Sequence, residues 1–268
     1  MRRCNAIILE KSCLLNSKCY TAQKADLESK IIICYILKMN EIKENYNSII
    51  ENVEKAKERS GRKNDTVSIM AVTKTKGLDV VELAYSAGFR LFGENRIQEA
   101  SEKFENFYND ANLHIIGHLQ SNKVKKAVEI SSCIQSVDRL KIAKMINKFC
   151  IDFSKNIDIY LEYNTSGEES KSGFINDDDF FRTLEEIMQM ENISIKGLMT
   201  IGPLSSNETE IRKSFTYLRN LRDKVNIKYP DAHIDGLSMG MSGDYEIAVE
   251  EGATLIRVGT ALFGSRQY

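Results

Sequence analysis

"VSIMAVTKTKGLDVVELAYSAGFRLF", residues 67–92, is the stretch whose reading decides the fold. Residues 67–72 form a short apolar run containing two valines and an isoleucine, which predicts a buried strand. Gly77 interrupts the chain, residues 78–87 follow with helical periodicity, and 89–92 are apolar again. A strand, a helix of about ten residues and a second strand make a βαβ unit, and such units pair their strands in parallel.

The same rhythm continues to the end of the chain. Strands are predicted at 67–72, 89–92, 113–116, 133–137, 157–163, 195–201, 233–237 and 254–258. Amphipathic stretches lie between and after them, near 78–87, 95–107, 121–130, 138–151, 177–190, 206–226 and 243–251. Ahead of the first strand, Ile42, Tyr46, Ile49, Ile50, Val53 and Ala56 recur at helical spacing, with Gly61 as a stop signal. Eight strands alternating with helices predict a single α/β domain, a closed (β/α)8 barrel of the TIM type with an extra N-terminal helix. A doubly wound open sheet is the second choice, because a count of short strands is easily off by one.

Composition narrows the function. The 268 residues carry 37 Lys and Arg against 38 Asp and Glu, a net charge of −1, so neither nucleic acid nor an anionic membrane surface is an expected partner. No apolar run of 18 residues is present, so no membrane span is expected. Four of the six cysteines, Cys4, Cys13, Cys19 and Cys34, fall within residues 1–38, a segment with seven basic residues against three acidic ones. Only Cys133 and Cys150 remain in the body, too few for a disulfide framework, and a cytoplasmic location is expected. Residues 1–38 read as an N-terminal extension, disordered or upstream of a start at Met39, and residues 39–268 as the barrel domain.

The barrel reading gives the lysines of the opening stretch a place. Chemistry in such barrels sits at the carboxyl ends of the strands. Lys74 and Lys76 follow the first strand, and the period of two puts Met70, Val72 and Lys74 on one face, with Lys76 joining them only if the strand geometry continues. A lysine amine at an apolar mouth is a candidate nucleophile toward a carbonyl. At the other end, "HIDGLSMGMSGDYEIAVEEGATLIRVGTALFG", residues 233–264, holds two strand tips followed by small residues: Ser238, Gly240, Ser242 and Gly243 after the seventh strand, Gly259 and Thr260 after the eighth. Glycines admit backbone N–H groups to a phosphate and hydroxyls add donors. The spacing of a nucleoside triphosphate P-loop is missing. Lysine and phosphate cup together suggest a small phosphorylated aldehyde.

The segments "AVTKTK", "LFGENRIQEA", "HIIGHLQSNK", "SGEESKSGF", "GLMTIG" and "LSMGMSGDYEIAVEEGATLIRVGTALFG" resemble, in order, the motifs of the pyridoxal phosphate homeostasis protein family, whose barrel is similar to the N-terminal domain of alanine racemase and to fold-type III decarboxylases. The resemblance covers residues 40–268. It implies that Lys74 holds pyridoxal 5'-phosphate as an aldimine, that Ser238, Gly259 and Thr260 surround the phosphate, that Arg257 faces the pyridine nitrogen and that Asn95 lies near the ring. Lys76 matches a neighbouring lysine, and His118 and Lys171 fall within matching motifs without an assigned contact. The function implied is intracellular cofactor homeostasis without classical catalysis and without catalytic residues, with apo-enzymes as recipients and a monomeric state. The alternative is a small racemase or lyase acting on amino acids. Racemases of this class add a C-terminal domain carrying a tyrosine base, which the chain does not show; Tyr268 is the nearest substitute.

Other motifs carry less. His114, His118 and His233 have no metal-ligand spacing with each other or with Cys133 or Cys150, and no metal is expected. "NDDDF", residues 176–180, reads as an Asn176 cap on a helix with an acidic first turn. The basic run 121–127 reads as a solvated helix face, and Phe215, Leu218 and Leu221 as barrel packing.

Overall fold

Eight parallel strands close into a barrel in strict chain order, β1 (Ser68–Val72), β2 (Leu91–Glu94), β3 (Asn112–Ile115), β4 (Cys133–Val137), β5 (Ile157–Glu162), β6 (Ile193–Met199), β7 (Gly236–Met241) and β8 (Leu255–Val258). The computed structural model describes residues 17–106 and 108–264, with side chains from residue 29 onward. Closure comes from β8 lying beside β1, with Met70 opposite Arg257 and Ala71 opposite Val258. The helices are α1 (Ser17–Arg59), α2 (Leu78–Ser86), α3 (Ile97–Phe104), α4 (Val124–Ile130), α5 (Leu140–Asp152), α6 (Asp177–Ile187), α7 (Glu208–Lys228), α8 (Tyr245–Glu250) and α9 (Thr260–Phe263).

Alternation along each strand divides the apolar residues into two sets. Ala71, Phe92, Ile115, Ile134, Ile159, Leu161, Leu237 and Ile256 face the surrounding helices and belong to the main core. The barrel interior holds two smaller apolar clusters, one of Met70, Val72, Ile116 and Leu255 and one of Cys133, Tyr160 and Met199. Met70 and Val72 do share the inward face of β1.

The predicted boundaries need three corrections. β2 lies two residues later than expected, so Glu94 belongs to the sheet and Asn95 follows it directly. β6 likewise begins and ends two residues early. β7 begins at Gly236 and runs to Met241; Ser238 and Gly240 are therefore inside the strand, although small residues there read as a loop. His233 takes a left-handed turn, φ 46°, ahead of β7. The helix expected from about Asn40 reaches back without a break to Ser17. Residues 17–38, read from the sequence as part of an appendage, are helical; residues 1–16 and Tyr268 lie outside the described residues. From Met39 onward α1 buries Ile42, Ile49, Val53 and Ala56 and packs on α2, α8 and α9. Asn176 caps α6 as expected, accepting from Asp178 N at 2.8 Å and Asp179 N at 3.2 Å.

Candidate functional site at the barrel mouth

Lys74 stands two residues past the end of β1, half-buried, in a turn whose Lys76 N–H donates to Thr73 O at 3.0 Å. The turn takes Lys76 off the face that Met70 and Val72 share. Thr75 occupies the third position of this turn with φ 63°. A positive φ there alone is the type II geometry, which favours glycine or asparagine. A β-branched residue in that conformation costs about 1–3 kcal/mol.

What holds the turn lies beneath it. The Glu99 carboxylate of α3 accepts from Thr75 N at 2.5 Å. Lys103, one helical turn further on, is buried, and its ammonium reaches Glu99 at 2.6 Å, Glu94 at 2.9 Å and Thr73 O at 2.8 Å. Thr73 Oγ1 donates to the same Glu94 oxygen at 2.6 Å. Burial pushes the Glu94 carboxyl above the ordinary range, against the opposing pull of Thr73 and Lys103. Its second oxygen has no hydrogen-bond partner among the described residues. Glu94, Glu99 and Lys103 did not stand out in the sequence, where the pair at i and i+4 looks like an ordinary surface ion pair.

Asn95 follows β2 and is half-buried. A side chain at Gly117 would place its Cβ 2.4 Å from Asn95 O, so the absence of one is what lets the β3 tip close against Asn95.

Across the barrel from β3 to β8 runs a buried polar chain with one consistent direction. Arg257 donates from Nη1 to Ser238 Oγ at 2.7 Å and from Nη2 to Thr200 O at 2.7 Å. The Ser238 hydroxyl donates to Gln135 Oε1 at 2.6 Å, and Gln135 Nε2 lies 2.8 Å from His114 Nδ1. An amide NH2 can only donate, so His114 Nδ1 accepts and its proton sits on Nε2. Burial agrees, drawing the His114 pKa down to about 4 and keeping the ring neutral. Burial also lowers Arg257 to about 10, against Asp244 and Glu162, which leaves it a cation at neutral pH.

The expected phosphate positions separate. Gly259 and Thr260 do lie at the mouth after β8, half-buried and exposed. Ser238 does not join them; it is fully buried beside Arg257. Ser242 lies beside Gly259, its Oγ accepting from Gly259 N at 3.2 Å and Ala261 N at 3.1 Å. Next to it Asp244 Oδ1 accepts from Met241 N at 2.5 Å, and burial raises the Asp244 carboxyl. Helix α1 ties both sides of this cup: Asn45 Nδ2 donates to Leu262 O and Asn52 Nδ2 to Tyr245 Oη, each at 3.0 Å.

Glu162 ends β5 with one carboxylate oxygen buried and unpartnered among the described residues. Burial, reinforced by Asp138 and opposed by Arg257, raises it to about 7. His118 Nδ1 lies 2.9 Å from Ser172 Oγ and 3.3 Å from Asp138, and Lys171 reaches Glu168 at 2.5 Å and Gly202 O at 2.8 Å, so both matching motifs come to the same rim. Among the described residues no group of three His, Cys, Asp or Glu could hold a metal, and no helix is long and apolar enough to cross a membrane.

Comparison with known proteins bears on the fold and the family. Residues 45–267 match the alanine racemase N-terminal domain family. A pyridoxal phosphate homeostasis protein of Aquifex aeolicus is 39% identical over 228 residues, 84% of this chain and 98% of that protein. This chain belongs to the pyridoxal phosphate homeostasis protein family. A member from Synechocystis is 42% identical over 203 residues, 75% of this chain and 92% of its own. The structure of PipY from Synechococcus elongatus PCC7942 with PLP bound superposes with a TM-score of 0.73 at 33% identity, over 83% of this chain and all of that one.

Proposed function

We propose that this protein binds pyridoxal 5'-phosphate at the barrel mouth through Lys74 and takes part in its homeostasis. The observation that carries the reading is the adjacency of β1 and β8, which sets the Lys74 turn beside the Gly259–Thr260 cup. The donors suit the cofactor: two backbone N–H groups now meet on one serine oxygen, where an anion's oxygen could sit, and an amine and a buried guanidinium lie on the same barrel. The name shared by its relatives and the PLP-bound state of PipY support the same reading.

When bound, pyridoxal phosphate supplies an aldehyde for a lysine amine and a phosphate for the cup. Lys74 offers the amine, and Gly259, Thr260 and Ser242 offer phosphate donors. Asn95 borders the ring's place, and Ser238 orients Arg257. Arg257 holds its protons at neutral pH and cannot accept one, an environment that disfavours carbanion chemistry. We take the protein as a carrier and not a racemase or lyase, in line with the homeostasis name of its relatives, and further propose that it is monomeric and cytoplasmic, releases the cofactor to apo-enzymes and has residues 39–268 as its functional domain.

Borohydride reduction of the loaded protein followed by peptide mapping tests the reading. A phosphopyridoxyl label on Lys74, lost in Lys74→Ala, is expected; label spread over surface lysines would refute the site. Incubation with each L-amino acid should yield no sustained D-isomer or α-keto acid, and either product would overturn the carrier assignment.

A further inference from the structure

We propose that Glu162 is a cofactor-contact residue on the inner wall of the mouth, and that loading the mouth with pyridoxal phosphate puts a proton on its carboxyl. The inference rests on the binding reading given above.

Glu162 is the last residue of β5, so its side chain leaves the sheet at the carboxyl end of the barrel. It shares the face of Tyr160, which lies in the barrel interior with Cys133 and Met199. In the closed ring of eight strands β5 stands across from β1, the strand that leads into Lys74. Glu162 is only 3% exposed, yet its Oε2 has no hydrogen-bond partner among the described residues. A buried carboxyl oxygen left unpaired is costly, and one that faces a ligand site is a place for a ligand atom.

The surrounding charges decide which form of the carboxyl the loaded site keeps. Asp138, just past neighbouring β4, repels its charge and is itself paired with Arg139 at 2.6 Å and with His118 at 3.3 Å. Arg257 of β8 attracts it, but the hydrogen bonds of Arg257 go to Ser238 and Thr200 O and not to Glu162. Asp244 competes for the same guanidinium. From β6 the residue opposite Glu162 is Met199, which carries no charge. Burial and these neighbours leave the carboxyl titrating at about 7, where a modest change in its surroundings decides its form. A phosphate brought to the Gly259–Thr260 cup adds another negative charge to the mouth, and a bound ring excludes solvent from it. Both favour the neutral acid. The neutral acid also has an O–H to donate to a ring acceptor, which the carboxylate lacks. Solvent supplies the proton to the carboxyl oxygen, and nothing is oxidised or reduced.

Comparing the parent with Glu162→Gln isolates this proton, because Lys74 and the phosphate titrate in both. Binding of pyridoxal phosphate followed by absorbance from pH 6 to pH 9 gives a ratio of dissociation constants, parent over variant. That ratio should rise roughly tenfold across the range, as expected if loading raises the carboxyl by about one pKa unit. Calorimetric titration at pH 7.5 in buffers of different ionisation heat should show the parent taking up about half a proton more per site than the variant. Circular dichroism checks that the variant folds. If it does not, infrared difference spectra of the parent before and after loading at pH 8 take its place, and the carbonyl band of a newly protonated acid is expected. A ratio that stays constant with pH, proton uptake equal in parent and variant, or no such band overturns the inference alone. A parent without label on Lys74 after borohydride reduction overturns the binding reading and this inference with it.

Discussion

At the scale of single residues, pH acts most directly on Glu162. Its carboxyl titrates at about 7 in the fold, above the ordinary range because burial and Asp138 outweigh Arg257. The folded state therefore binds the proton more tightly than the unfolded chain. Below the ordinary carboxylate range the two states are alike; as pH rises through the window up to about 7, the fold loses stability, by up to about 3 kcal/mol. Glu162→Gln removes this dependence. The stability of the variant relative to the parent should thus increase between pH 5 and pH 8 in urea titrations, and a difference independent of pH would refute the assignment. Residues differ in how openly the sequence declares them. Lys74 and Arg257 are visible because a charge at or within an apolar strand is conspicuous. Glu99 and Lys103 are not, since their spacing is that of any exposed helix pair and only packing under the Thr73–Lys76 turn distinguishes them. Glu162 sat in plain view inside "IYLEY", but a single carboxylate in a strand does not reveal which side of the sheet it faces.

Among the elements, α1 bears on the site most directly. Asn45 and Asn52 each give one hydrogen bond to the segments on either side of the Ser242 cup. Each such bond contributes about 1 kcal/mol. The Asn45→Ala, Asn52→Ala double variant should release pyridoxal phosphate several-fold faster while its unfolding midpoint falls only modestly, as read by stopped-flow absorbance and differential scanning calorimetry. Unchanged release would mean the cup is rigid without α1. The elements themselves were largely legible, because a period of 3.6 alternates cleanly with short apolar runs. β7 was the exception: Ser238, Met239, Gly240 and Met241 include weak strand formers, and the strand holds because Ser238 pairs with both β6 and β8 and Met241 pairs with β8. That pairing sets the Ser238 hydroxyl between Arg257 and Gln135.

For the whole molecule, the barrel and the N-terminal helix have separable contributions. Ile31, Ile32, Ile33, Ile36 and Leu37 on α1 are 43–63% exposed, whereas the stripe that packs on the barrel begins at Met39. A chain starting at Met39 should keep its melting temperature within a few degrees and scatter less light at high concentration, since it loses apolar surface and almost no burial. A large fall in melting temperature would show that residues 17–38 brace the barrel. Eight strands were countable from the sequence; what the count could not supply was the register that brings Met70 opposite Arg257. That register has a consequence for how the protein is made. Lys74 is synthesised early, while Gly259 and Thr260 emerge some 185 residues later, and only the docking of β8 on β1 brings them together. On the proposed reading a nascent chain on the ribosome has the amine long before it has the cup, so tight binding of the cofactor would be a signature of finished chains.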